Sequence, residues 1–138
     1  MTRFAILSAG PLLLFAAFLM SGCGSSRQLQ SVTLSPASAD AQGFSGDQVP
    51  FAASGTFSKP PSPVPLTSKD VQWCVGISTG ICGGNINLGA TVDQTGVAQC
   101  NSGFVGTATI LAGNGGATMN PDGGSQLKIF GSATLTCP

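Results

Sequence analysis

The sequence predicts an all-β sandwich of about seven antiparallel strands. Three observations carry that expectation. Apolar residues alternate with a period of two in short runs, and no run keeps a helical period. Gly, Pro, Ser, Asn and Asp cluster between the runs, as turns require. The chain also lacks the Glu that solvent-facing helices use, and its charged residues are only 7% of 138.

Residues 31–36, SVTLSP, form a first strand stopped by Pro36. Residues 49–57, VPFAASGTF, place Val49, Phe51, Ala53, Gly55 and Phe57 on one face. The four prolines of KPPSPVPLTSK (59–69) predict a stiff loop. In VQWCV (71–75), Val71, Trp73 and Val75 share a face. GATVDQTGVAQC (89–100) reads as strand, turn at Asp93–Gly96, and strand. GTATILAG (106–113) turns Ala108, Ile110 and Ala112 to one side. AGNGGATMNPDGGS (112–125) is a long loop.

The final segment alternates longest. Leu127, Ile129, Gly131, Ala133, Leu135 and Cys137 share one face, which predicts one strand bulged at Gly131 with Cys137 inward. Phe51, Trp73, Ile110, Leu127, Ile129 and Leu135 are the expected large core residues. Seven strands in roughly 108 residues suit an immunoglobulin-like sandwich over 31–138.

Ahead of this domain, residues 1–22 have the layout of a helical signal peptide. Arg3 precedes an apolar run from Phe4 to Met20, followed by Ser21 and Gly22. The run is short for a membrane span and contains Pro11. Met-Ser-Gly-Cys at 20–23 resembles the bacterial lipobox, with Met20 where Leu is usual. The resemblance implies cleavage before Cys23, a lipid on its thiol and a fatty acyl chain such as palmitate on its amine. The membrane is then a partner through the N-terminal lipid. Gly24 stands where an Asp marks inner-membrane retention in Gram-negative lipoproteins. The expected address is therefore the outer membrane of a bacterial envelope, on its periplasmic or surface face. Residues 23–30 are the lipidated Cys and a flexible tether, whose 24–30 stretch spans at most about 25 Å.

Cys23 also resolves the odd cysteine count, because Cys74, Cys82, Cys100 and Cys137 are left for two disulfides. Three pairings exist. Alternating strands end the fifth and seventh at one pole, which favours Cys100–Cys137 with Cys74–Cys82. The alternative is Cys82–Cys100 with Cys74–Cys137. In the loop-entropy picture the short bridge contributes about 2.5 kcal/mol and the long one about 4.

The segments SVTLSP, VPFAASGTF, LTSKDVQW, ATVDQTGVA and GTATI, in that order over 31–113, resemble a bacterial immunoglobulin-like domain of group 2. Two stretches depart from its pattern. CVGISTGICGGNINLG (74–89) adds two cysteines, and 114–138 adds a Gly-rich loop and a last strand. The resemblance implies a cell-adhesion type of module with a protein or carbohydrate ligand, and it assigns no binding residues.

Composition limits the chemistry. Lys plus Arg equals Asp plus Glu at 5 each, which leaves no basic excess for nucleic acid. His is absent, so no His base, triad or metal site can form. Asp40, Asp47, Asp70, Asp93 and Asp122 lack the spacing of a calcium loop, and Asn120–Gly123 is ordinary turn chemistry. A Ser nucleophile would need Lys59, Lys69 or Lys128 as base, and none sits in S-x-x-K. Gly113–Gly116 lacks the strand–loop–helix context of a phosphate loop. Trp73 suits the core better than a ligand platform, and the 59–65 prolines suit a loop better than a polyproline ligand. No metal, cofactor or catalytic residue is expected. The expectation is a non-enzymatic structural or binding lipoprotein, with an exposed sheet face, a sheet edge or the 113–125 loop as its surface. The alternatives are an accessory subunit of a larger envelope complex and a small envelope enzyme.

Overall fold

The computed structural model describes residues 26–84, 88–118 and 124–138. The signal segment, Cys23 and Asp122 lie outside the described residues. Thirteen strand segments follow in order: β1 (Leu29–Ser35), β2 (Ser38–Asp40), β3 (Gln48–Pro50), β4 (Ala52–Phe57), β5 (Val64–Leu66), β6 (Gln72–Ser78), β7 (Ile81–Cys82), β8 (Ala90–Val92), β9 (Val97–Cys100), β10 (Gly106–Asn114), β11 (Ala117–Thr118), β12 (Ser125–Gln126) and β13 (Ile129–Cys137). The expected seven strands are subdivided, and short extra ones are added. Two 3-10 turns, Ala41–Gly43 and Ser45–Asp47, connect β2 to β3.

The chain is an all-β sandwich. One layer is the sheet β11-β12-β7-β6-β10-β13-β2. The other combines β1-β4-β5 with β3-β9-β8. These two sets join where β3 runs into β4, and the Phe51 N–H donates to the Gly96 carbonyl at 2.9 Å. Among the described residues the ladders are antiparallel except one. After Pro36 the chain changes layer, and β2 pairs parallel to β13, with Ser38 beside Thr134 and Asp40 beside Thr136.

The core follows the period-two faces. Val49, Phe51, Ala53, Val71, Trp73, Val75, Ala108, Ile110, Ala112, Ala133, Leu135 and Cys137 are all buried in one cluster. Two expected core residues behave differently. Ile129 is only half-buried at the edge of this cluster. Leu127 precedes β13 and is buried in a second cluster with Leu111 and Cys82, flanked by Cys74 and Phe130.

That second cluster lies on the outer face of the seven-stranded sheet. Leu111 and its ladder partner Cys74 point away from the sandwich core, because Ile110 and Ala112 point into it. The cover comes from Cys82 and Leu127, within the stretches 74–89 and 114–138. β12 pairs with β7 through Gln126 and Ile81, and the Leu127 N–H donates to the Gly80 carbonyl at 2.8 Å. Residues 80–81 and 126–127 therefore pack on each other.

Gly131 is not a bulge. The β10–β13 register is unbroken from Gly106 opposite Cys137 to Asn114 opposite Ile129. A Cβ on Gly131 would lie 2.6 Å from the Val32 carbonyl oxygen of β1. The glycine lets the two layers approach. The proline-rich stretch is also not loop throughout, since β5 pairs with β4, Leu66 beside Ala53 and Val64 beside Gly55. Pro65 is tolerated there because β5 is an edge strand.

The disulfides join Cys74 to Cys82 and Cys100 to Cys137. The first staples neighbouring strands β6 and β7. The second ties β9 in one layer to β13 in the other, with Cα atoms 5.8 Å apart. Its loop is the longer, 37 against 8 residues. Replacing Cys100 and Cys137 with Ala is expected to cost about 4 kcal/mol, and the Cys74, Cys82 pair about 2.5, by denaturant titration. Equal losses would contradict the loop-length account. Gly131→Ala is expected to cost on the order of 1–3 kcal/mol, because backbone must move to admit the methyl group. An unchanged denaturation midpoint would show that the layers are not held that closely.

Candidate functional site

The registers define two ends of the sandwich. At one end, Cys100 closes β9, Cys137 closes β13, and Gly106 opens β10. Two loops lie at that end. Residues 41–47 connect Asp40, beside Thr136, to Gln48, beside Gln99. Residues 101–105 connect Cys100 to Gly106. These loops expose apolar side chains that a solvated turn does not need. Val105 is 76% exposed and Phe44 37%. Among the described residues the third large exposed apolar one, Ile77, lies at the rim of a groove formed with Leu111 and Phe130 on the outer sheet face.

The other end is where the chain enters. Residues 26–30 were expected to belong to a flexible tether, and the structure instead holds them against the 58–63 turn. The Arg27 guanidinium stacks over the Phe57 ring at 3.7 Å. Its Nε donates to the Lys59 carbonyl at 3.2 Å, and Nη2 donates to the Pro61 carbonyl. Gln28 and Ser58 exchange two further bonds, from the Gln28 N–H to Ser58 Oγ at 3.0 Å and from the Ser58 N–H to the Gln28 carbonyl at 2.9 Å.

On the flank, a cleft of about 580 Å³ opens between β6 and β8. Its walls include Gln72, Trp73, Val75, Leu88, Thr91 and Asn101, and none of the described residues lining it is charged. It offers amides, hydroxyls and apolar surface. Its described lining offers no group to abstract or donate a proton near neutrality. Trp73 reaches this cleft but is only 5% exposed, so its ring serves the core. Beside it, Gln94 acts as a one-residue strand. Its Nε2 donates to the Trp73 carbonyl at 3.2 Å, and its Oε1 accepts from the Trp73 N–H at 3.4 Å. The amide thereby covers an edge of β6 that β7 does not reach.

Asp40, Asp70 and Asp93 are committed to turns. Asp40 Oδ1 accepts from the Gln42 N–H at 3.0 Å. Asp70 Oδ2 accepts from the Thr67 N–H at 2.8 Å and its hydroxyl at 2.7 Å, and those bonds hold its pKa below 3.8. Asp93 Oδ1 accepts from the Thr95 hydroxyl at 2.6 Å and from the N–H groups of Thr95 and Val97 at 2.8 and 3.0 Å. The hydroxyl first, then the N–H of Val97, lowers its pKa. Gly96 completes this turn at φ 88°, where a Cβ would meet the Phe51 carbonyl at 2.4 Å. Among the described residues, no three His, Cys, Asp or Glu side chains gather into a metal-holding group. Lys59, Lys69 and Lys128 are exposed.

Sequence reasoning foresaw the Asp93 turn. It missed the Arg27 clamp, the Gln94 plug and the exposed pair Phe44 and Val105. Nothing local marks any of them, because each is defined by partners distant in the chain. Compared with known proteins, the chain matches no family model and none of the curated proteins.

Both turn carboxylates are stabilised in the folded state as anions. Their contribution is present above the ordinary aspartate value of 3.8 and is lost as pH falls through the lower folded values. Asp93→Ala should therefore lower the melting temperature at pH 7 and flatten its decline below about pH 4. Parallel acid limbs in wild type and variant would refute this.

Proposed function

We propose that this chain is a lipid-anchored envelope protein, acylated at Cys23, whose sandwich is a non-enzymatic binding module of the bacterial immunoglobulin-like kind. Its surface is the end bearing Phe44 and Val105. The observation that carries the reading is the polarity of the fold. The chain enters the sandwich at one end, and two exposed apolar residues stand at the other, on loops braced by the Cys100–Cys137 bridge. Exposed apolar groups on a rigid frame are the usual core of a protein contact. The uncharged flank cleft fits a protein whose work is contact rather than proton transfer.

The test has two parts. Intact-mass measurement on protein extracted from cells is expected to show acyl chains on Cys23, lost in Cys23→Ser. Photo-cross-linking in living cells from position 105 is expected to capture a discrete partner, and Phe44→Ser with Val105→Asp should abolish the adduct without lowering the melting temperature. An unmodified Cys23 would reject the anchor. An adduct that survives both substitutions, or none at all, would reject the surface.

A further inference from the structure

We infer that the entry end of the sandwich rests on anionic phospholipid headgroups, through Arg27, Lys59 and Lys128. The inference rests on the proposed acylation of Cys23. Four peptide links separate Cys23 from Arg27, a reach of about 14 Å at full extension. From Arg27 onwards the chain is fixed. The stack on Phe57, the bonds to the Lys59 and Pro61 carbonyls and the Gln28–Ser58 exchange bind it to the domain. A lipid at Cys23 therefore brings the 58–63 turn to the headgroup layer. A tether mobile up to residue 30 would leave the domain's orientation open.

The basic residues are distributed to match. Val32 of β1 faces Gly131 of β13, so Leu29 and Lys128, each three residues upstream, lie towards the same end. Lys59 is in the turn that Arg27 clamps. Three of the four basic side chains after Cys23 thus belong to this end. The fourth, Lys69, lies in the crossover into β6, whose first residue Gln72 pairs with Gly113 towards this same end, and there it neighbours Asp70, whose carboxylate offsets it. Asp40 and Asp47 belong to the opposite end, flanking the loop beside Thr136 and Gln99. The net charge is close to zero, but its separation along the long axis directs the basic end to a phosphate-bearing surface. Exposed Pro60, Pro61 and Pro63 give that end a stiff rim.

Lysine reactivity reads this directly. The full-length acylated protein is reconstituted in vesicles of phosphatidylcholine, with or without roughly 30% phosphatidylglycerol, at low salt. It is then labelled briefly with an amine-reactive acetyl ester, and modification is quantified at each lysine. Lys59 and Lys128 are expected to react on the order of fivefold more slowly on the anionic vesicles, with the difference erased by high salt. Arg27→Ala keeps the acyl anchor but releases the clamp, and should return Lys59 and Lys128 to the phosphatidylcholine rate. Acylated protein whose Lys59 and Lys128 react alike on both vesicles overturns the inference, as does protection that persists in Arg27→Ala. The mass at Cys23 separates the two failures. Without acyl chains the anchor reading falls and takes this one with it; with them, only the orientation is at fault.

Discussion

The β10–β13 ladder is the constraint on which the rest of the molecule depends. Its nine residue pairs run without a shift between the two ends of the sandwich. One face supplies Ile110, Ala112, Ala133 and Leu135 to the main core, and the other supplies Leu111 and Phe130 to the outer cluster. β6 and β2 hang on its two sides. Cys137 at its end fixes the opposite layer, and Gly131 lets β1 come close. A one-residue slip here would exchange both faces at once. The bridge at one end and the glycine within make such a slip costly.

The inner face of this sheet is covered by the opposite layer. On its outer face Thr107, Thr109, Ser132 and Thr134 stay exposed, and Leu111 is buried, under Cys82 of the two-residue β7 and Leu127 just after β12. The Cys74–Cys82 bridge compensates, since it restricts β7 where hydrogen bonds are few. Apolar burial and covalent closure thus carry a fold with very few charges.

The alternating faces were legible because each is a local pattern. Val49, Phe51 and Ala53, then Val71, Trp73 and Val75, then Ala108, Ile110 and Ala112 are buried as their spacing requires. What failed needed non-local knowledge. A strand glycine signals a bulge or a close approach, and only the position of Val32 decides for Gly131. The alternation that made Leu127 continuous with Ile129 cannot reveal that the chain leaves the ladder before β13. Pro65 reads as loop unless β5 is known to be an edge. The proposed surfaces were less legible still. Arg27 sits in a polar stretch that reads as linker, and its aromatic partner is thirty residues away. Val105 looks like any strand residue, and its exposure follows from where the loop ends.

Scarcity of charge bears on how such a domain could choose a partner. Long-range steering needs a strong single-signed field, and Asp40 and Asp47 provide a weak one at the far end. On the proposed reading, selection by Phe44 and Val105 acts at contact, through shape and apolar area. Two such side chains make a small surface, and small apolar surfaces bind weakly. Confinement offsets this on the proposed reading. A domain held by a lipid and a short clamped tether meets envelope partners at a raised effective concentration and with its far end outward. Weak contact then suffices, and fixing Arg27 matters as much to recognition as the residues that touch the ligand.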